Sequence, residues 1–230
     1  MEISFVLVEP AVPENVGAAA RAIKTMVFKN LRLVNPCEYQ VVKDLMLAHG
    51  SHDILENAEV FNSLEDALID IDFAIATTAK QRWVKQNVIP IDELKSFLLE
   101  KEESVSRVAI VFGREESGLT NDEISLCDRS TTVPLNEPFP SLNLAQAVMV
   151  FAFSLTTLKS QQQTTENKSA TGNRGYKPLK KRIIKILNQI GIPKTNLVHG
   201  RILERLSETS DEDVNLLHSV SAKVEEKLGE

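Results

Sequence analysis

The chain has 230 residues, of which 43% are hydrophobic and 25% charged, and its formal charge is −6. That balance belongs to an ordinary globular protein and excludes a wholly disordered or fibrous chain. No apolar run approaches the roughly 18 residues that would cross a bilayer, so no membrane partner is expected. Met1-Glu2-Ile3-Ser4 lacks a basic leader, and Cys37 and Cys127 are too few for a disulfide framework. A reducing cytoplasm is the expected setting.

Short apolar runs at Ile3–Val8, Leu31–Val34, Phe73–Ala76, Val108–Phe112 and Thr131–Val133 predict strands. Their unbroken hydrophobicity suits a parallel sheet covered on both faces. Helical patterns lie between them. Ser63-Leu64-Glu65-Asp66 and Thr120-Asn121-Asp122-Glu123 read as capping boxes, in which hydroxyl and carboxylate satisfy free backbone donors. A long helix is predicted from near Ser141 to about Leu158, and it is apolar almost all round between Leu144 and Leu155. Such a helix is buried in a core or an interface. The alternation of strand and helix predicts an α/β domain over 1–158.

Residues 159–175 contain no large apolar side chain and read as a flexible linker. From Tyr176, the spacing of Leu179, Ile183, Ile186, Leu187 and Ile190 predicts a helix, with Pro178 in its first turn. Two more helices are predicted, one around Leu197–Leu206 and one after a cap at Ser210–Asp213. Residues 176–230 thus read as a small helical extension. Arg174 to Arg205 holds nine basic residues against one acid, whereas Leu206 to the end holds seven acids and two lysines. The net charge argues against a general nucleic-acid binder, and the charge pattern alone fits two solvated helical faces as well as a basic binding face.

Three segments carry candidate chemistry. After the first strand, Asn15-x-Gly17-x-x-x-Arg21 opens a helix where a dinucleotide fingerprint would need G-x-G-x-x-G. Asn15 can cap that helix, and Arg21 follows Gly17 by one turn on the same face. The second segment, Phe112-Gly113-Arg114-Glu115-Glu116-Ser117-Gly118-Leu119-Thr120, almost spells a P-loop. Leu119 stands where the phosphate-binding lysine is required, which excludes a nucleoside-triphosphatase of that type. The third segment, Val133-Pro134-Leu135-Asn136-Glu137-Pro138-Phe139-Pro140-Ser141-Leu142-Asn143-Leu144-Ala145-Gln146-Ala147, is a stiff loop with three prolines entering the long helix. It presents backbone N–H groups, with Ser141 and Asn143 as polar side chains; Ser141 can equally serve as an N-cap.

In this order and spacing the three segments resemble the SpoU branch of the SPOUT superfamily of RNA ribose 2′-O-methyltransferases. Glu9-Pro10 and the wording Ser141-Leu142-Asn143-Leu144-Ala145-Gln146-Ala147 are most similar to its TrmJ/LasT subgroup of tRNA/rRNA methyltransferases. The resemblance implies a mostly parallel α/β sheet whose C-terminal part forms a trefoil knot, a homodimer, and S-adenosylmethionine as cofactor. It implies cofactor loops at Thr77-Thr78-Ala79, Gly113, Val133 and Pro140-Ser141-Leu142. It implies that Arg21 binds the target phosphate and helps activate the 2′-hydroxyl, with Asn15, Ser141 and Asn143 supporting the reacting groups. Many relatives carry an arginine after the threonine segment, where this chain has Lys80, with Arg82 two residues on; lysine keeps the charge without the planar fork. RNA contact is expected from Arg21, Lys80, Arg82, Lys180 and Lys181. Trp83 either stacks on a base or is partly buried.

The function expected on this basis is tRNA (cytidine/uridine) ribose 2′-O-methylation in the anticodon loop. The alternatives are an rRNA 2′-O-methyltransferase or an inactive RNA-binding protein of the same fold. No metal site is expected, since His49 and His52 lack a completing cysteine or carboxylate cluster. Cys37 and Cys127 read as packing residues.

Overall fold

The computed structural model describes residues 1–39, 50–79, 88–135, 142–162 and 174–229. They form two compact units, one of residues 1–95 and 107–166 and one of residues 96–106 and 167–230.

In the first unit seven strands form one sheet: β1 (Glu2–Val8), β2 (Asn30–Val34), β3 (Glu59–Phe61), β4 (Phe73–Thr77), β5 (Val88–Pro90), β6 (Arg107–Phe112) and β7 (Arg129–Thr132). Their order is β3-β2-β1-β6-β4-β7-β5 and each recorded pairing is parallel. The central strands are buried along nearly their whole length, the burial their unbroken Val/Ile/Ala/Phe runs predict. β3 and β5, three residues each, carry too little pattern to be seen in the sequence. The last expected strand, Thr131–Val133, starts two residues earlier and ends one residue earlier: Arg129 and Ser130 pair with Ile75 and Ala76, so the register of the sheet, not β propensity, sets its start.

The helices of this unit are α1 (Pro13–Thr25), α2 (His52–Glu56), α3 (Leu64–Ala67), the start of α4 (Ile91–Leu99), α5 (Asn121–Leu126) and α6 (Leu144–Gln162). α5 has a full capping box between Thr120 and Glu123. At α3 the Ser63 hydroxyl accepts the Asp66 N–H, but the Asp66 carboxylate takes the Ser63 hydroxyl rather than a backbone donor. α6 starts at Leu144 rather than near Ser141. Asn143 caps it: its carboxamide oxygen accepts the Ala145 N–H at 2.9 Å, while Gln146 Oε1 accepts the Asn143 N–H at 3.1 Å. The helix runs on to Gln162, past the expected end at Leu158 and into the segment read as linker. α1 and α6 pack together, and the small buried face of α1 (Gly17, Ala19, Ala20, Ala22) permits that approach. Phe5, Phe28, Phe112 and Phe151 join sheet to helix through ring contacts of 5.2–6.3 Å.

The second unit holds α7 (Tyr176–Gln189), α8 (Leu197–Glu208) and α9 (Asp211–Leu228). Its unexpected part is the segment 96–106. The Asp211 carboxylate accepts the N–H groups of Glu103 and Ser104, each at 2.9 Å. The buried Lys101 gives its ammonium to the Thr209 carbonyl at 2.6 Å and lies over the Phe97 ring. Among the described residues no helix is long and apolar enough to cross a membrane.

Candidate active site

Because the strands are parallel and β6, β4 and β7 are neighbours, their carboxyl ends lie side by side along one edge of the sheet. An open α/β sheet places its ligands there. A cavity of about 320 Å³ occupies this edge, lined by Thr77, Thr78 and Ala79 after β4, by residues 112–119 after β6, by Val133 and Leu135 after β7, and by Leu142, Leu144, Ala147 and Phe151 of the α6 segment. Of the expected cofactor residues, Thr77, Thr78, Ala79, Gly113, Val133 and Leu142 are thereby brought together. Pro140 and Ser141 lie outside the described residues, as do Lys80, Arg82, Trp83 and His49.

The loop after β6 folds back on itself. The Gly118 N–H donates to the Arg114 carbonyl at 2.9 Å, and Gly118 has φ +69°. A Cβ on Gly113 would overlap the backbone of Gly118 and Leu119; the glycine is demanded by this close approach.

Two charged residues of this loop, whose roles the sequence did not disclose, fasten it. Arg114 donates from both terminal nitrogens to the Glu123 carboxylate, each at 3.0 Å, and from Nε to Glu9 at 2.8 Å. Accepting those N–H groups, Glu123 and Glu9 hold the guanidinium above even its ordinary high value, against burial. Glu9 sits at φ +46°, strained for a non-glycine residue, at the end of β1. Glu115 points to the other side. It accepts the backbone N–H of Ala11 at 3.1 Å and of Val12 at 3.3 Å, and the Asn15 carboxamide N–H at 2.9 Å. Burial opposes its charge, but these donors, Asn15 foremost, keep its carboxyl below the usual glutamate value.

Asn15 therefore does not cap α1. The helix begins at Pro13 with Val12 at its N-cap, and the Asn15 side chain lies between Glu115 and Asn143. Asn143 Nδ2 donates to Asn15 Oδ1 at 2.9 Å. Arg21 lies further along α1 and is exposed although Gly17, one turn before it, is buried; among the described residues nothing pairs with its guanidinium. Burial and the nearby charge of Glu115 push the Cys37 thiol up, away from reactivity. Cys127 is a core residue. Among the described residues no group of three His, Cys, Asp or Glu could hold a metal ion.

In the helical unit Lys180 is half-buried and Lys181 exposed, both on α7. The acidic end of the chain folds onto this basic helix: Glu225 of α9 takes Arg182 Nε at 2.9 Å and Lys185 Nζ at 3.2 Å. Part of the basic run is thus neutralised within its own unit, the outcome the two-faced charge pattern allowed.

Comparison with known proteins agrees with this geometry. The SpoU rRNA Methylase family matches residues 2–153, and the C-terminal domain of tRNA/rRNA methyltransferase LasT matches residues 173–228. The uncharacterized tRNA/rRNA methyltransferase LasT of Escherichia coli (strain K12) is 38% identical over 228 residues, 99% of each chain. The tRNA (cytidine/uridine-2'-O-)-methyltransferase TrmJ of Cronobacter sakazakii (strain ATCC BAA-894) is 39% identical over 167 residues, 71% of this chain and 67% of that protein. Among solved structures, TrmJ from Z. mobilis ZM4 superimposes with a TM-score of 0.67 at 27% identity, covering 98% of this chain and 100% of that one. The chain belongs to the SpoU methylase family of RNA methyltransferases.

Proposed function

We propose that the protein is an S-adenosylmethionine-dependent tRNA ribose 2′-O-methyltransferase, acting on cytidine or uridine in the anticodon loop. The observation that carries this reading is the convergence of the three motif segments. The loops before α1, after β6 and before α6 meet at one sheet edge, beside a cavity lined by Thr77, Gly113 and Leu142. At about 320 Å³ the cavity is of the size of ordinary small-molecule sites. Its walls suit the cofactor: Phe112, Leu119, Leu144 and Phe151 supply apolar surface, and Gly113 permits close backbone approach. Thr77, Thr78, Ala79, Gly113, Val133, Pro140, Ser141 and Leu142 would hold it. When bound, S-adenosylmethionine supplies a methyl group already activated on a sulfonium.

A ribose hydroxyl is a poor nucleophile until its proton is drawn away. Arg21, exposed and without a partner among the described residues, binds the target phosphate. A guanidinium stays protonated, so the 2′-hydroxyl is activated by Arg21 together with that phosphate. Asn15, Ser141 and Asn143 orient the ribose, so that oxygen, carbon and sulfur come into line. Residues 1–158 carry the methyltransferase activity and 176–230 form an RNA-contacting extension, with Lys180 and Lys181, besides Lys80 and Arg82, on the RNA side. The sheet's C-terminal part carries the trefoil knot. The active form is a homodimer, for which Phe153, 69% exposed on α6, offers an apolar contact. The enzyme is cytoplasmic.

The test is calorimetric binding of S-adenosylmethionine followed by transfer of a labelled methyl group to purified tRNA or rRNA. Arg21→Ala is expected to bind the cofactor as the unmodified protein does and to lose about hundredfold in turnover at saturating RNA. Near-normal turnover would remove Arg21 from the mechanism. Label entering only rRNA would overturn the substrate. Cofactor binding with no transfer to either RNA would favour an inactive RNA-binding protein.

A further inference from the structure

Glu115, Asn15, Asn143 and the Ala145 N–H form a continuous hydrogen-bonded chain through all three motif segments, with successive distances of 2.9, 2.9 and 2.9 Å. Its polarity is fixed at both ends. A carboxylate can only accept, so Asn15 must turn its amide nitrogen to Glu115 and its oxygen to Asn143. A backbone N–H can only donate, so Asn143 must turn its oxygen to Ala145 and its nitrogen to Asn15. Neither carboxamide can flip without setting donor against donor. Each oxygen is engaged within the chain, and each nitrogen retains a second N–H. The pair therefore keeps two donors, of the kind that ribose or phosphate oxygens accept.

We infer that Glu115 is a positioning residue of the methyl-transfer site, which sets the orientation of the Asn15 and Asn143 carboxamides without itself touching the reacting atoms. The inference rests on the proposed methyltransferase activity for its catalytic half only. Glu115 has two further ties that hold it in place, the N–H groups of Ala11 and Val12. It thereby anchors the loop from which α1, and with it Arg21, departs.

Glu115→Gln keeps the shape but no longer fixes the polarity, because a carboxamide can donate to Asn15 as well as accept from it. Either its new amide nitrogen takes the place of Oε2 and faces the Ala11 donor, or it takes the place of Oε1 and faces Val12 and Asn15, and Asn15 must then flip and carry the conflict to Ala145. The double variant Asn15→Asp with Glu115→Gln restores a consistent direction from Asn143 onward. The carboxylate introduced at position 15 accepts both from the carboxamide introduced at position 115 and from Asn143, and Asn143 again accepts from Ala145. Two readouts are required on the full chain, hydrogen exchange at the Ala145 amide and the split between kcat and KM for methyl transfer. E115Q is expected to speed Ala145 exchange and lower kcat by about tenfold or more, with KM for the cofactor changed by less than about threefold. The double variant is expected to restore Ala145 protection, which an account based on lost stability alone would not produce. Should E115Q fail to fold, recovery of the folded state with Ala145 protected in the double variant supports the inference, and no recovery overturns it. Unchanged exchange in folded E115Q overturns the relay, and altered exchange with unchanged kcat overturns its role in transfer. Should the unmodified protein transfer no methyl group, the activity reading fails by that result, while the exchange data still decide whether Glu115 orients the pair.

Discussion

In the sheet unit, Glu9, Glu115 and Glu123 turn onto Arg114, Asn15 and the backbone donors of two loops. In the helical unit, Glu225 lies between two helices and takes up Arg182 and Lys185. Both units pair opposite charges, but the consequences differ. The first set orders irregular backbone around a cavity, where Arg114, Glu115 and Glu123 are partly withdrawn from water and a lost bond leaves a donor unsatisfied. The second spans regular helices at the surface, where an ion pair contributes little. Charge in one unit orders the backbone around a cavity, and charge in the other offsets part of a basic helix.

The largest effect expected in breaking this contrast comes from Gly113→Ala. Its methyl group cannot be accommodated against Gly118 and Leu119, so cofactor affinity should fall by at least about hundredfold and stability by roughly 3 kcal/mol. Calorimetry and denaturant unfolding check both.

Next comes pH. The carboxyls of Glu115 and Glu123 lie below their ordinary value because, against the burial that would raise them, Asn15 and Arg114 hold the charged forms. A depressed carboxyl contributes stability that is fully present above the ordinary value of 4.5 and is lost as pH falls through the depressed one. The melting temperature should therefore decline by several degrees on acidification below about pH 4.5, and E115Q should flatten part of that decline.

How legible these features were follows the same division. The central strands could be read because buried parallel strands leave strong local patterns. The three segments were joined only by their resemblance to a family, since no local rule brings them together. β3 and β5 could not be read, since three residues held by neighbouring strands need little pattern of their own. Asn15 looked like a cap because Asn before an apolar run usually is one; its partner Glu115 is 100 residues away in sequence, and no local rule reports such a bond. The acceptor-only carboxylate in Phe112-Gly113-Arg114-Glu115 was the available signal. In the helical unit the helices were legible from periodicity, while the recruitment of residues 96–106 by Asp211 was not, being a tertiary contact of two backbone donors.

Two smaller effects sharpen the contrast. Lys181→Ala, which removes an exposed cation with no carboxylate partner among the described residues, should weaken tRNA binding by a few-fold and reduce the salt slope by about 1. Lys185→Ala, already paired with Glu225, should change it less; filter binding across a salt series separates them. Val27, two residues past the end of α1, sits at φ +65° and is 63% exposed. A β-branched residue is strained there, so Val27→Gly should stabilise the chain by about 1 kcal/mol without altering activity, as measured by denaturant unfolding.

The most direct test of the central claim, that the three segments build one site for ribose methylation, is mass spectrometry of nucleosides from tRNA incubated with the protein and S-adenosylmethionine. The account predicts a new methyl group on the ribose of a cytidine or uridine from the anticodon loop, formed about hundredfold more slowly with Arg21→Ala. A methyl group on a base nitrogen instead would contradict it.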